Sequence, residues 1–369
     1  MPIIESDTSE VSEELSKMLV NRFRWNSGFY LDKEYFDEPC WLVSSSGFAH
    51  WFELLQENLQ LNLGRRLAHA AADSEELRLD SIELKHSFFQ KRKKILSEIN
   101  YDWKSRGLGS LKVPSGSHKL KKLELEVHGR LQSSFSSGMA NSAWEFITKK
   151  RHRFRWEDRG KDVALAHLEQ DGIEVKKPIK IDKIGAYKSI EFNEIDSNPL
   201  RKPFELKFGG WELLGERHIF LYQDFIYRLV ENITTYASDS YSVSLNADWE
   251  VFQISETEKK VWSGIAQASS EMFRQGGELF MIDNPQGWVG ASQAELVNKG
   301  LGAVTKSKGI DSNGGIELEF CNIFHPAIVT GVILGCWSRS EGRDGKASWK
   351  SDNGELKLQI TSKSEIAEQ

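Results

Sequence analysis

The sequence predicts an α+β fold of two tandemly duplicated domains, each a small antiparallel sheet packed with helices. Three observations point there. The stretch Leu123–Trp156 superposes without a gap on Ile316–Trp349, 193 positions later, setting Glu124 on Glu317, Glu126 on Glu319, Gly138 on Gly331, Trp144 on Trp337 and Trp156 on Trp349. The same frame lays Gly107-Leu108-Gly109 on Gly300-Leu301-Gly302. In each stretch a run that alternates apolar and acidic residues, the period of a half-exposed strand, precedes a helix with a small-residue face. A chain of 369 residues has room for two such units. The expected division is an acidic disordered tail (1–14), a first repeat (15–176), a junction (177–214), a second repeat (215–362) and a loose tail (363–369).

In the first repeat, Trp51, Leu54, Leu55, Leu59, Leu63, Leu67 and Ala70 recur every three or four residues, which predicts a helix over Phe48–Ala72. Phe88, Ile95, Ile99 and Trp103 predict a second over Ser81–Ser105. Gly107 and Gly109 mark a turn, because paired glycines supply backbone angles that other residues avoid. Leu123–Val127 reads as a strand and Ser133–Phe146 as a helix. Phe154–Trp156 and Val163–Leu168 read as closing strands joined near Asp158-Arg159-Gly160. In the junction, Ile179–Ile184, Ser189–Phe192 and Phe204–Phe208 alternate like short strands.

The second repeat follows the same order. Helices are expected over Ile219–Tyr236 and Ser255–Phe273, the latter with a Ser255/Glu258 capping box. The stretch that follows, with no counterpart in the first repeat, predicts a strand over Glu278–Ile282, a turn over Asp283–Gly287 and a short helix capped by Ser292 and Glu295. Ile316–Phe320 repeats the alternating strand. His325-Pro326 opens an apolar helix, proline being suited to a first turn where its missing N–H is not needed. Trp349 and Leu356–Ile360 close the repeat.

The hydrophobic fraction of 39% and charged fraction of 28% describe a soluble globular chain. The longest apolar run, Phe324–Trp337, is 14 residues, too short to cross a membrane. The acidic N-terminus lacks the basic start and apolar core of a signal peptide, which places the protein in the cytoplasm. Three cysteines, Cys40, Cys321 and Cys336, have no metal-ligand spacing and fit a reduced compartment; no cofactor or metal is expected. Charge is uneven: residues 1–184 carry 30 basic and 28 acidic side chains, residues 185–369 carry 18 and 26.

No Gly-X-Ser-X-Gly elbow, phosphate loop, His-Glu-X-X-His or Cys-X-X-Cys occurs, which argues against the common nucleophilic and zinc enzymes. His325 stands where free helix N–H groups could join it in holding an anion or carbonyl, with Lys299 beside the glycine turn; the plainer reading is a helix cap. Glu317 and Glu319, like Glu124 and Glu126, share one strand face. They are an acid/base pair or simply the solvent side of a strand. Trp288, Trp337 and Trp349 line a pocket or fill a core. Lys299, His325, Trp288 and Trp337 are therefore the candidate ligand residues of the second repeat. The first repeat is basic: Lys85–Lys122 holds eleven basic residues against two acids, and Lys149–Lys161 seven against two. Lys91, Arg92, Lys93, Lys94, Lys150, Arg151, Arg153 and Arg155, with Phe154 and Trp156 interleaved, form a candidate surface for nucleic acid, acidic lipid or an acidic protein face.

The order of helices, Gly-X-Gly turn, strand, glycine-bearing helix and closing strands resembles the 4-vinyl reductase-like domain family and the related vesicle-tethering subunits of transport protein particles. The residues that carry the resemblance are Gly107/Gly109 and Gly300/Gly302, Leu123–Val127 and Ile316–Phe320, and Gly138 and Gly331. It implies an α+β domain that encloses a small ligand or docks a partner. The expected function is a non-enzymatic protein, a sensor, regulator or scaffold, binding a small molecule or a protein partner, with a homodimer compatible. The alternatives are a nucleic-acid-binding protein using the basic repeat and an enzyme pairing His325 with a carboxylate.

Overall fold

The computed structural model describes residues 13–83, 92–116, 120–174, 179–184, 203–206, 209–237, 247–276, 280–352 and 354–363, with residues 200, 243 and 245. It is an α+β fold. The described elements of the first half are α1 (Glu13–Arg22), β1 (Phe23–Asn26), β2 (Phe29–Asp32), β3 (Glu38–Ser44), α2 (Ser45–Leu59), α3 (Gly64–Glu83), α4 (Arg92–Ser105), β4 (Ser110–Lys112), β5 (Lys122–His128), α5 (Ser133–Thr148), β6 (His152–Arg159) and β7 (Val163–Gln170). Those of the second half are β8 (Phe204–Glu205), β9 (Trp211–Leu213), β10 (Glu216–Tyr222), α6 (Gln223–Thr234), β11 (Ala247–Asp248), α7 (Glu256–Gln275), α8 (Gly287–Glu295), β12 (Gly302–Gly309), β13 (Ile316–Ile323), α9 (Pro326–Glu341), β14 (Gly345–Asp352) and β15 (Glu355–Ser362).

The two small sheets share a strand order, β4-β5-β7-β6 in the first half and β12-β13-β15-β14 in the second. They also share a register. Glu124 lies opposite His167 and Glu317 opposite Gln359; Trp156 lies opposite Ala166 and Trp349 opposite Leu358. In each half the glycine-bearing helix packs on the preceding long helix at backbone distance. A Cβ at Gly138 would lie 2.1 Å from the Ala68 carbonyl oxygen of α3, and one at Gly331 2.1 Å from the Ala266 carbonyl oxygen of α7.

The remaining strands form a third, six-stranded sheet, β1-β2-β3-β10-β9-β8, three strands from each half. Its middle is the antiparallel pair β3/β10, with Leu42 opposite Phe220. Each half's strands then dock on the other half's glycine turn. A Cβ at Gly107 would meet the His218 carbonyl oxygen at 2.2 Å, and one at Gly300 the Cys40 carbonyl oxygen at 2.3 Å. The Trp211 indole N–H donates to the Ser105 carbonyl at 3.2 Å, and the Tyr30 hydroxyl to the Asn298 carbonyl at 3.3 Å. The helices cross over too. α2 lies against α7 and α3 against α6, with the Trp51 indole donating to Ser269 Oγ at 2.9 Å. One hydrophobic core runs through both halves. The expected separation into 15–176 and 215–362 is therefore corrected in one respect: the expected junction supplies β8 and β9 to the shared sheet.

Several expected boundaries move. The helix expected over Phe48–Ala72 is two helices, broken where Gln60 turns left-handed (φ 52°) and the Gln56 side chain accepts from the Leu63 N–H. The leucine spacing survives the break because both helices turn the same side to the core. Of Ser81–Ser105, α4 begins at Arg92, and residues 84–91 lie outside those described. The helix expected from Ile219 begins at Gln223, because Ile219–Tyr222 is a central strand buried on both faces, whose unbroken apolar run hides its two-residue period. Phe280–Ile282 form no strand, and neither do residues 179–184. Residues 189–192 lie outside those described, while Phe204–Glu205 do form a strand. Ser292 and Glu295 sit inside α8 rather than capping it. The Ser255 hydroxyl caps α7 as expected, accepting from the Glu258 N–H at 3.2 Å.

Two hairpin tips carry bulky apolar residues in the left-handed region. Leu214 (φ 53°), followed by Gly215 (φ 82°), is fully exposed; Phe36 (φ 53°), followed by Asp37 (φ 55°), is 72% exposed. Neither gains by burial what its backbone costs. Leu214→Asn is expected to raise the melting temperature by about 1–3 °C, since asparagine tolerates this conformation. Gly138→Ala is expected to destabilise by about 2–3 kcal/mol in denaturant titration, because backbone rather than a flexible side chain opposes the new methyl.

Candidate functional site

The exposed face of the β4–β7 sheet is the site the structure builds most openly. Alternation turns Leu123, Leu125, Val127, Ala164, Ala166 and Leu168 inward, and by register Phe154 and Trp156 go with them. Lys122, Glu124, Glu126, His167, Glu169, Arg153, Arg155 and Glu157 then share the outward face. Lys122–Glu124, Arg153–Arg155 and His167–Glu169 line an open groove of about 580 Å³.

Most charges on this face are matched. Lys122 pairs with Glu169 at 2.9 Å; His167 pairs with Glu124 at 3.0 Å and Glu157 at 3.3 Å; Glu126 pairs with His128 and Arg159, both at 2.8 Å. The Lys122 ammonium, aided by Arg153 and Arg155, holds the Glu169 carboxyl below its ordinary range. Among the described residues Arg153 and Arg155 make no ion pair or side-chain hydrogen bond, and both are exposed.

The rest of the expected basic surface is dispersed. Arg92, Lys93 and Lys94 are exposed on the first turn of α4, and Lys91 lies outside the described residues. Lys150 is exposed, whereas Arg151 is held by Glu145 at 3.0 Å. The interleaving of Phe154 and Trp156 with arginines, legible as a stacking surface in one dimension, is undone by the strand: the rings and the guanidiniums point to opposite faces.

The matching face of the second sheet is also neutralised. Glu317 pairs with Lys308 at 2.8 Å and accepts from the Gln359 amide; Glu319 pairs with Lys306 at 2.8 Å and Lys357 at 3.1 Å. Hydrogen bonds from Lys308 and Lys306, respectively, hold these carboxyls below their ordinary range. Both are bound to lysines, Glu317 buried and Glu319 half-buried, and are not a carboxylate pair poised for proton transfer.

The four candidate ligand residues of the second half go to separate places. His325 is fully buried and caps α9, its Nδ1 accepting from the Ala327 N–H at 3.2 Å. The rings of Tyr227 and Trp262 enclose it, each 4.8 Å away between centroids, and Nε2 has no partner among the described residues. Burial pushes the imidazole down to about 3 and no carboxylate acts on it. Its counterpart Gln132 also stands before the helix but makes no side-chain cap. Lys299 pairs with Glu295 at 2.7 Å. Trp288 packs on Phe280 at 5.7 Å. Trp337 is fully buried and donates to the Gly314 carbonyl at 2.8 Å. No hydrogen bond, ion pair or ring contact joins any two of the four among the described residues.

Sequence reasoning missed a buried charge network. The Arg22 guanidinium binds Asp32 at 2.7 Å and Asp102 at 2.6 Å; Asp102 also accepts from Arg78 at 2.9 Å and from Arg106; Arg106 reaches Glu75 at 2.7 Å. Tyr222, from the other half, donates to Asp32 at 2.7 Å. Burial alone would raise the Asp102 carboxyl, yet Arg106, Arg78 and Arg22 hold it well below its ordinary range. A cavity of about 10 Å³ borders this network at Glu75, Arg106 and Tyr222, with Phe135, Phe220 and Phe225 as apolar walls, which is room for about one water. The available signal was Asp102 and Arg106 one helical turn apart beside Trp103.

No protein-family model, no curated protein and no solved structure matches the chain.

His325 gives this region a pH signature. Its folded value lies below its unfolded one, so the unfolded chain binds the extra proton, and the stability is complete above the ordinary histidine range and lost as pH falls toward 3. Between about pH 7.5 and about pH 5 the wild-type protein is expected to lose about 2 kcal/mol more than His325→Asn, which keeps a capping side chain. Paired urea titrations at the two pH values measure the difference.

Proposed function

We propose that this chain is a non-enzymatic binding protein, built from two copies of one unit, that takes an acidic protein partner on the open face of its first small sheet. The observation that carries this reading is the pair Arg153 and Arg155. Their side chains leave one face of an extended strand about 6.7 Å apart along the backbone, border the open groove, and among the described residues make none of the ion pairs that hold Lys122, His167 and Glu126. The shared element order and register of the two halves support common descent. The resemblance to 4-vinyl reductase-like domains and vesicle-tethering subunits implies a domain that encloses a small ligand or docks a partner, and a docked partner is the reading adopted.

A protein partner fits better than nucleic acid. Glu124, Glu157 and Glu169 interrupt the cations, so the face offers no continuous run of positive charge for a phosphate chain to follow, and Phe154 and Trp156 face away from where bases would stack. A surface with both signs selects a partner of complementary pattern. Among the described residues no contact joins the candidate residues of the small-molecule alternative, and no carboxylate acts on His325 as the acid/base alternative requires.

The double reversal Arg153→Glu/Arg155→Glu tests the reading, with fluorescence anisotropy of labelled poly-L-glutamate and of a single-stranded oligonucleotide at low and moderate salt. The wild-type protein is expected to bind polyglutamate, more weakly as salt rises, and the reversal to weaken it by about tenfold or more with an unchanged melting temperature. Oligonucleotide binding tighter than polyglutamate binding, or indifference to the reversal, would overturn the proposal.

A further inference from the structure

The second sheet has five strands because β11, Ala247–Asp248, lies parallel along the outer edge of β14. Its register sets Ala247 beside Ala347 and Asp248 beside Ser348. In the frame that relates the halves, Ala347 and Ser348 correspond to Phe154 and Arg155 of β6. Among the described residues no strand takes that position on the first sheet, where β6 is the last strand. Among the described residues no backbone–backbone hydrogen bond reaches the outer edge of β6, at whose start the His152 N–H donates to Glu145 Oε1 at 2.6 Å. The cause is chain length: β11 arises from the long α6–α7 connection, residues 235–255, whereas the matching α2–α3 connection is only residues 60–63.

Burial shows what the missing strand leaves uncovered. Ala347 and Trp349 are each 4% exposed, but Phe154 and Trp156 are only half-buried. Beyond β11 the chain places Phe252 against Trp349, at 5.6 Å between ring centroids, and Trp249 against Trp262, at 5.4 Å. Counting back from Ala68 and Ala266, the residues that meet Gly138 and Gly331, Gly64 takes the place of Trp262. A Cβ at Gly64 would have only the tip of Trp156, 3.7 Å away, and the Asn62 side chain for neighbours.

We infer that the outer edge of β6 is a strand-addition site, which takes an extended acidic segment of a partner protein parallel to β6, in the place β11 occupies on β14. This deepens the proposed function and rests on it. In a parallel pair, neighbouring side chains share a face. An acid at the Asp248 position would lie beside Arg155 on the outward face, and an acid two residues earlier beside Arg153. An aromatic residue four positions after the acid beside Arg155 would cover Trp156 as Phe252 covers Trp349. Main-chain hydrogen bonds supply affinity in this mode and alternate side chains supply selectivity. The two unmatched arginines and the two half-buried rings are thus one feature seen from the two faces of a single edge strand.

The chain supplies its own probe, a labelled peptide of residues 245–252, Leu-Asn-Ala-Asp-Trp-Glu-Val-Phe. Anisotropy with the full chain is expected to show saturable binding that falls by about tenfold in Arg153→Glu/Arg155→Glu, and by a similar factor when alternate peptide amides are N-methylated, because methylation removes the strand donors. Restoration of binding to the double variant by a peptide with lysine at the Asp248 position would fix the register. Equal binding of the N-methylated peptide would overturn strand addition while leaving acidic docking intact. Binding indifferent to the arginine reversal would place the peptide elsewhere, such as at β14, and overturn this inference. No binding of the peptide with retained polyglutamate binding also overturns the inference alone; loss of both overturns the docking reading with it. A concentration-dependent dimer that the peptide fails to dissociate would mean that a second copy fills the edge, which also overturns it.

Discussion

Leu42 opposite Phe220, at the meeting of β3 and β10, is the contact from which the architecture follows. Once these two strands pair, each half's strands lie over the other half's glycine turn, and α2 and α6 are carried across to α7 and α3. The approach at Gly107 and Gly300 leaves no room for a side chain, so both turns are specified by close packing and by backbone angles open to glycine. Neither half keeps its own core: the leucines of α2 are buried partly by residues more than two hundred positions away, and both the main cluster and the smaller one around Leu42 and Phe220 draw on residues of both halves. Separate folding of the two halves would leave half of the central sheet as exposed edge on each.

Beneath that sheet lies a charge network that such a core does not need for stability. Three guanidiniums, Arg22, Arg78 and Arg106, face three carboxylates, Asp32, Asp102 and Glu75, all buried. The desolvation of six ions is severe and is offset only because every charge has partners in hydrogen-bond contact. Such an arrangement tolerates little displacement, and its connection to Tyr222 ties α1, β2, α3 and α4 of the first half to the central strand of the second. Removing one member would strand an uncompensated charge, whereas an apolar replacement of the whole set would not.

The two small sheets are alike in their shared strands and unlike at one edge. Their shared strands agree in order and, apart from bulges in β12, in register, and on both the outward glutamates are matched by basic side chains. The difference lies at one edge. A long connection allows β11 to finish the second sheet, whereas among the described residues nothing pairs with the outer edge of β6, where two arginines make no ion pair and two rings are half-covered. Function in this chain is best sought where the halves differ, because what they share is spent on packing.

The sequence by itself determined the periodic elements and their repetition: the strands at Leu123 and Ile316, the helices at Ser133 and Pro326, the glycine turns and the capping by Ser255 and His325. These follow from local backbone preference and from alternation, which neighbouring residues encode. It misplaced the boundary at Ile219, because a strand buried on both faces has no polar residue to mark its period, and it ran α2 into α3, because the core-facing side continues across the break. Only the tertiary structure decided that Phe154 and Trp156 leave the face that Arg153 and Arg155 occupy in the sheet, that Lys299, His325, Trp288 and Trp337 do not meet, and that Arg22, Asp32, Asp102 and Glu75 do. Those outcomes depend on pairings between residues far apart in the chain, whose energies arise from burial and contact, quantities that no single stretch of sequence contains.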